Sequence, residues 1–318
     1  MKMIFKTEIQ IQPFDFKISH QDKIMMMGSC FAENMARKML SAGFRTNVNP
    51  FGVLYNPASI SKSIQAILDS KKYETSDFFE YRGLFHSFDH HSRFSGSSRE
   101  DCVDKISKEI KDAKDYLKTA SILVITFGTA FAYSSKSTDM IVSNCHKLPK
   151  KEFNRRRLNI SEIVENWKVL ISQLKQYNPK LKIIFTVSPI RHWKDGAHEN
   201  QLSKSTLLLA IDELVKQYPH CCYFPAYEIM MDELRDYRFY ADDMLHPSDL
   251  AVEYIWEKFS YTFFEKKTFI LLDEWFKIKQ ALEHKPFNPD SEEYKKFLSQ
   301  TGEKLNEFLN NNKDFVIQ

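Results

Sequence analysis

The sequence predicts an α/β protein built on a doubly wound parallel sheet. Short, almost wholly apolar runs recur along its 318 residues, at 24–27, 122–127 and 182–187. Stretches with the 3.6-residue apolar period of helices lie between them. Gly28, Gly128 and Ser188-Pro189 stop the runs. Strands that are apolar throughout are buried on both faces, as in a parallel sheet with helices above and below. Right-handed crossovers then leave the doubly wound sheet as the simplest topology.

The elements follow in order. Residues 24–27 form a first buried strand. Residues 31–40 keep helical spacing, with Gly43 as the stop. Residues 44–48 read as a second strand, ended by Asn49-Pro50-Phe51-Gly52, and 59–68 as a helix. The segment 78–96 is aromatic-rich, has no helical period, and carries His86, Asp89, His90 and His91. It is expected as a hairpin or ordered loop inserted at an edge. An amphipathic helix at 104–117 precedes a third strand at 122–127. A helix at 160–176, a fourth strand at 182–187, a helix at 202–217, a short last strand at 222–224 and a helix at 250–264 complete the series. The tail, 268–312, is helical and charged, interrupted at Pro286-Phe287-Asn288-Pro289. It is expected to pack on the main domain or to mediate self-association into a homo-oligomer. No internal repeat or low-complexity linker occurs.

Composition narrows the class. Hydrophobic residues are 43% and charged residues 27%, which supports a packed core rather than a disordered chain. The net charge of +3 leaves no electrostatic footprint for a nucleic-acid partner. One basic cluster stands out, Lys150-Lys151 with Arg155-Arg156-Arg157. It reads either as a solvated surface or as an anion-facing loop. The five cysteines, Cys30, Cys102, Cys145, Cys221 and Cys222, are an odd set without CxxC spacing. A reducing compartment fits them better than a disulfide framework. Residues 1–17 alternate apolar and polar and lack the apolar run of a signal peptide. No stretch approaches the ~18 apolar residues of a membrane span. The expectation is a cytoplasmic protein with no membrane partner.

Open α/β sheets bind ligands at the carboxyl ends of their strands, so the polar residues just after each apolar run are the candidates. The first strand delivers Gly28-Ser29, and the second Asn49 and Gly52. The third delivers Gly128 and Thr129, and the fourth Ser188, Arg191 and His192. Beyond the fifth lies Ala241-Asp242-Asp243-Met244-Leu245-His246-Pro247-Ser248. Ser29 stands between strand and helix, at the positive end of the helix dipole, where an oxyanion is favoured and backbone N–H groups can donate. A serine there is also a common N-cap, and taken alone that is the plainer reading. Asp243 and His246 shift the balance. A serine hydroxyl needs a base, and the base needs an orienting carboxylate. Asp-x-x-His puts both on one short turn. Ser29, His246 and Asp243 are therefore the candidate nucleophile, base and orienting acid.

Several motifs in chain order resemble the GSCFA family. They are Gly28-Ser29-Cys30-Phe31-Ala32, Asn49-Pro50-Phe51-Gly52-Val53-Leu54-Tyr55-Asn56-Pro57, Asn144-Cys145-His146-Lys147, Arg191-His192-Trp193-Lys194-Asp195-Gly196, the Tyr240–Ser248 segment and His284-Lys285-Pro286-Phe287-Asn288-Pro289. That family is similar to a branch of the SGNH, or GDSL-like, hydrolases. The resemblance implies a flavodoxin-like three-layer sandwich over 1–266, with a helical C-terminal extension at 267–318 packed on it. It implies a serine esterase, without metal or cofactor, acting on an acylated small molecule or carbohydrate through a Ser29-His246-Asp243 triad. The oxyanion donors would be the Ser29 N–H, Gly52 and an Asn after the third strand. There the chain departs from the pattern: Gly128-Thr129-Ala130-Phe131 stands where SGNH hydrolases carry Gly-x-Asn-Asp. Losing one donor typically costs ~10²–10³ in turnover. Thr129 and Asn144 are the candidate replacements. An acyltransferase on the same triad, or a catalytically silent binding protein on the same scaffold, are the alternatives.

Other candidates carry less. His86, Asp89, His90 and His91 match no standard zinc spacing, so a substrate-facing loop with His91 in the pocket is preferred. Arg191, His192 and His198 point toward the same cleft, as contacts to an anionic or sugar substrate or as ordinary loop salt bridges. Cys30 is a rival nucleophile one residue into the helix, expected to face away from His246. Cys145 beside His146 is a weak pair, because adjacent residues seldom align their side chains for proton transfer.

Overall fold

The computed structural model describes residues 6–317. The chain opens with β1 (Lys23–Gly28), α1 (Cys30–Ser41), β2 (Arg45–Val48) and α2 (Pro57–Leu68). A hairpin of β3 (Phe79–Tyr81) and β4 (Leu84–His86) follows, then α3 (Arg99–Thr119) and β5 (Ile122–Phe127). Next come β6 (Phe131–Ser135), β7 (Ile141–Val142), β8 (Phe153–Arg157), α4 (Ile160–Tyr177), β9 (Lys182–Val187), α5 (Gly196–Gln217) and β10 (Cys221–Phe224). A single turn, α6 (Ala226–Glu228), runs into a π-helical turn at Ile229–Glu233. Three helices end the chain: α7 (Asp249–Phe263), α8 (Lys266–Leu282) and α9 (Glu292–Asn311).

Five strands form a parallel sheet in the order β10-β9-β5-β1-β2. Counted along the chain this is 2-1-3-4-5, the flavodoxin-like doubly wound order, whose switch point lies between β1 and β5. Alternate side chains of each strand enter opposite cores, as the period of two requires. Met25, Met27, Leu123, Ile125 and Phe185 pack with Ile64, Ile106 and Trp167 of α2, α3 and α4. Ile24, Met26, Val124 and Ile184 pack with Met35, Met39 and Phe259 of α1 and α7. Helices thus cover both faces of the sheet.

The hairpin expected within 78–96 is β3 with β4. The sequence reading did not foresee a second, antiparallel sheet, β7-β6-β8. Its strands are short and carry Arg155, Arg156 and Arg157, residue types that do not announce a strand. Those arginines lie on β8 and pair with Asp195, Glu162 and Glu199. Helix α5 also begins six residues earlier than its apolar period suggested.

The tail builds a small core of Trp275, Ile278, Phe308 and Phe315 against the β2 side of the sheet. Trp275 Nε1 donates to Ser41 O at 2.8 Å, and Val316 N donates to Gly43 O at 2.9 Å. Gly43 has φ +78, and a Cβ there would stand 2.1 Å from the Phe315 ring. Of the alternating N-terminal segment, residues 1–5 lie outside the described residues; Ile9, Ile11, Phe14 and Phe16 pack against the α7 side. Among the described residues no helix is long and apolar enough to cross a membrane, and all five cysteines are free thiols.

Candidate active site

The turn after β1 is shaped by contact. Gly28 has φ +139, and a Cβ on it would lie 2.2 Å from Thr126 O on the neighbouring strand. Only glycine fits such an approach. Gly28 N donates to Asn49 Oδ1 at 2.8 Å, and Gly28 O accepts from Leu54 N at 2.9 Å. The loop after β2 therefore clamps the end of β1. Ser29 follows in the N-cap position of α1 with φ −71 and ψ 175, but its hydroxyl makes no capping bond. It is fully buried, and Oγ has no hydrogen-bond partner. A buried polar atom left unpaired costs about 1–3 kcal/mol, so such an orphan calls for a functional explanation.

The structure joins Asp243 to His246. Asp243 Oδ1 accepts the backbone N–H groups of Leu245 and His246, both at 2.9 Å. Its Oδ2 accepts from His246 Nδ1 at 2.6 Å. The two backbone donors, then the imidazole, hold the Asp243 carboxyl down at about 2. The carboxylate is ionised, so Nδ1 carries the imidazole proton and Nε2 is the free basic nitrogen. Bonds from Ala241 N to His246 O (2.8 Å) and from Arg191 N to Leu245 O (3.1 Å) fasten the turn. Both side chains are about half exposed. No hydrogen bond links His246 to Ser29.

A cleft of about 640 Å³ opens at the strand ends, and Tyr55, His91, Thr129, Asn144, Arg191, His192 and His246 all line it. Ser29 and His192 meet at Gly128. A Cβ on Gly128 would stand 3.3 Å from Ser29 Cβ and 3.4 Å from His192 Nε2. His192 Nε2 is itself buried without a partner. Burial, and then the charges of Lys204, His246 and Arg155, pull the His192 pKa to about 3.

The expected oxyanion donors are differently employed. Gly52 N donates to Asn49 O at 2.6 Å, so its N–H is spent. Glycine is needed there because φ is +79 and a Cβ would lie 2.1 Å from His91 Cβ. Gly128 N and Thr129 N both donate to Tyr55 O. The Thr129 hydroxyl is shared with Ser203 Oγ at 3.0 Å and accepts from Phe131 N. Asn144, in the cleft wall, accepts from His146 N through Oδ1 at 2.8 Å, so its amide NH₂ is the donor group not yet engaged.

Three polar residues of α5 organise the cleft, and the sequence reading missed them. Asn200 Oδ1 accepts from His192 N at 2.9 Å, and Ser203 Oγ accepts from Ala130 N at 2.8 Å. Lys204, 1% exposed, donates to Gly128 O and Ser188 O, each at 2.7 Å. It ties the end of β5 to the end of β9. The signal was Asn, Ser and Lys on a helix face that otherwise points into the core.

Burial, and then Arg191, lower the Lys204 pKa from 10.5 to about 7. Between those values the unfolded chain holds the proton and the folded chain releases it. Stability contributed by this site therefore rises with pH through that window. The unfolding free energy of wild type, less that of Lys204→Met, is expected to climb by up to about 1.4 kcal/mol per pH unit between pH 7 and 10. Urea unfolding of both proteins checks this, and a flat difference would refute it.

The remaining histidines of 78–96 are structural. Asp89 pairs with Lys62 at 2.6 Å and Lys71 at 3.1 Å and accepts from Tyr73. His90 Nδ1 bonds Ser87 Oγ, and His86 bonds Ser95 Oγ and Tyr81 O. Among the described residues no group of three or more His, Cys, Asp or Glu is arranged to hold a metal ion.

The fold is thus a flavodoxin-like α/β sandwich, and its strand ends carry a buried serine beside a cleft that holds an oriented Asp-His pair. Residues 23–259 match the GSCFA family and residues 275–316 the GSCFA domain protein, C-terminal domain. The chain belongs to the GSCFA family. Among solved structures it is similar to a family 3 carbohydrate esterase from Clostridium thermocellum, at 10% identity over 79% of this chain and 97% of that one, with a TM-score of 0.35. It is similar to a carbohydrate esterase family 3 protein from Talaromyces cellulolyticus, at 10% identity, 80% and 99% coverage and a TM-score of 0.34. It is also similar to an acetyl xylan esterase from Butyrivibrio proteoclasticus, at 10% identity, 84% and 67% coverage and a TM-score of 0.32. No curated protein matches the sequence.

Proposed function

We propose that this protein is a serine esterase that removes an acyl group from a carbohydrate or other polar small molecule. One observation carries the reading. The Ser29 hydroxyl sits on the strand–helix turn, buried, capping nothing and bonded to nothing, beside a cleft walled in part by His246. Asp243 already holds His246 in the tautomer a base requires. Catalytic hydrogen bonds often tighten only when substrate is in place, and the His246 side chain is about half exposed.

In this mechanism Ser29 Oγ attacks the acyl carbonyl as its proton passes to His246 Nε2. The carbonyl π pair moves onto oxygen. Collapse expels the alcohol, which takes the proton back from His246. Water, activated in the same way, then attacks the acyl-enzyme and frees Ser29. The Asp243 carboxylate stabilises the imidazolium throughout. An alcohol in place of that water makes the same steps an acyl transfer. The cleft wall combines Tyr55, Tyr133 and Trp193 with Asn144 and the Arg155–Asp195 pair, a mixture of aromatic faces and hydrogen-bonding groups suited to a sugar.

Residues 1–266 carry the site in this reading. The segment 267–318 packs on it, and the exposed Phe276 and Phe297 of its helices, with Phe287 between them, offer a surface for self-association. Free thiols at Cys30 and Cys145 on the cleft suit a reducing, cytoplasmic setting. A fluorophosphonate probe tests the nucleophile. Ser29 Oγ displaces fluoride from phosphorus, and mass spectrometry of the digest is expected to place the adduct on Ser29. An adduct on another residue would refute the assignment, and no adduct at all would favour a silent binding scaffold.

A further inference from the structure

We propose that His192 supplies the oxyanion donor that the position after β5 lacks, its Nε2–H pointing across Gly128 at the carbonyl oxygen of an acyl group attacked by Ser29. The inference rests on Ser29 being the nucleophile.

The geometry comes first. His192 Nε2 and the Ser29 side chain approach the same point, the space a Gly128 side chain would fill. Both Ser29 Oγ and His192 Nε2 are buried without partners. The Ser29 and His192 side chains flank Gly128 together with Tyr55 O, 3.0 Å from that point, and each carries an unpaired buried polar atom that a reacting carbonyl would engage. Gly128 keeps that volume open, since any side chain would fill it.

Most of the other candidate donors are already engaged, the Asn144 amide excepted. The N–H groups of Ser29, Gly52, Gly128 and Thr129 are spent on Thr126 O, Asn49 O and Tyr55 O, and the Thr129 hydroxyl is held by Ser203. His192, by contrast, is fixed by its backbone: its N–H bonds Asn200 Oδ1, while the preceding Arg191 N bonds Leu245 O. A donor whose backbone is held in place before reaction loses less to reorganisation.

Charge decides between donor and base. The groups around His192 are Lys204 from α5, Arg155 from β8, His246 from its turn and Asp195. Arg155 occupies both Asp195 oxygens, so no carboxylate orients the His192 ring. Asp243 orients His246 instead. Burial first, and then the surrounding cations, keep His192 neutral, and a neutral imidazole with Nε2–H donates to an oxyanion but is a poor base. His192 makes and breaks no covalent bond in the reaction.

The test compares wild type with His192→Ala and His192→Gln, in fluorophosphonate labelling and in p-nitrophenyl acetate hydrolysis. His192→Ala is expected to lower the labelling rate and kcat by about 10²–10³-fold with KM little changed. His192→Gln keeps a side-chain N–H and is expected to recover at least tenfold of that loss. Thermal unfolding of each variant reports folding, and if the Ala variant is unfolded the Gln variant decides. Label on Ser29 at the wild-type rate in His192→Ala overturns the donor role alone. So does a folded Gln variant as slow as Ala. A wild-type protein that labels elsewhere than Ser29 overturns the nucleophile and the donor together.

Discussion

His246→Ala is expected to lower kcat for p-nitrophenyl acetate by about 10⁴–10⁶-fold, the range seen when the base of a serine triad is removed. The serine hydroxyl is a weak nucleophile, and without a base its proton has nowhere to go in the transition state. The proposed base is held in a defined orientation. Three hydrogen bonds converge on Asp243 from one turn, so the carboxylate is set before substrate arrives. KM is expected to stay within a few-fold, because the ring contributes little ground-state binding. The double variant with Ser29→Ala is expected to be no slower than either single one, since groups acting as a unit lose their effect together. Steady-state kinetics of the three proteins check this. A single variant within tenfold of wild type would remove His246 from the mechanism.

Gly28→Ala is expected to destabilise the fold by about 3–5 kcal/mol, through two mechanisms acting together. The first is backbone strain at φ +139, a region L side chains rarely adopt. The second is steric. The new Cβ would stand 2.2 Å from Thr126 O and 2.9 Å from its carbonyl carbon, and backbone in the middle of a sheet cannot step aside. Moving β1 away from β5 would stretch the Gly28–Thr126 pairing and carry Ser29 with it. A fall in Tm of about 5–7 °C follows for a chain of this size. Gly302→Ala on α9 is the control. Open space surrounds its Cβ position, so only the helix preference for alanine acts there, worth up to about 1 kcal/mol in favour of folding. If both variants melt like wild type, the tight approach at Gly28 is refuted.

The sheet was legible because β1, β5 and β9 are apolar at nearly every position, a pattern only burial on both faces explains. Gly28-Ser29 and Asp243-x-x-His246 were legible because glycine at a strand end and a carboxylate three residues from a histidine are local features. What stayed hidden depends on elements far apart in sequence. Whether the Gly52 N–H is free depends on where the Asn49 carbonyl turns. Whether Ser29 caps its helix depends on which way one hydroxyl points. Lysine in a helix ordinarily reaches solvent, so nothing in the α5 sequence said that Lys204 would hold two carbonyls at the strand ends. Alternating polar residues on β6 and β8 look like loop until they pair with each other.

The contact between Gly43 and Phe315 also bears on how the protein is made. Synthesis runs from the N-terminus, so β1, α1 and β2 leave the ribosome before the tail helices. The Arg45–Asp314 bond spans 269 positions, so the surface formed by His20, Gly43 and Phe44 must wait for nearly the whole chain to be translated. Throughout that interval a sheet edge and an aromatic patch lie open to other nascent chains. A chain cut short before residue 312 therefore lacks the partners of Gly43 and Arg45 and leaves an adhesive flank.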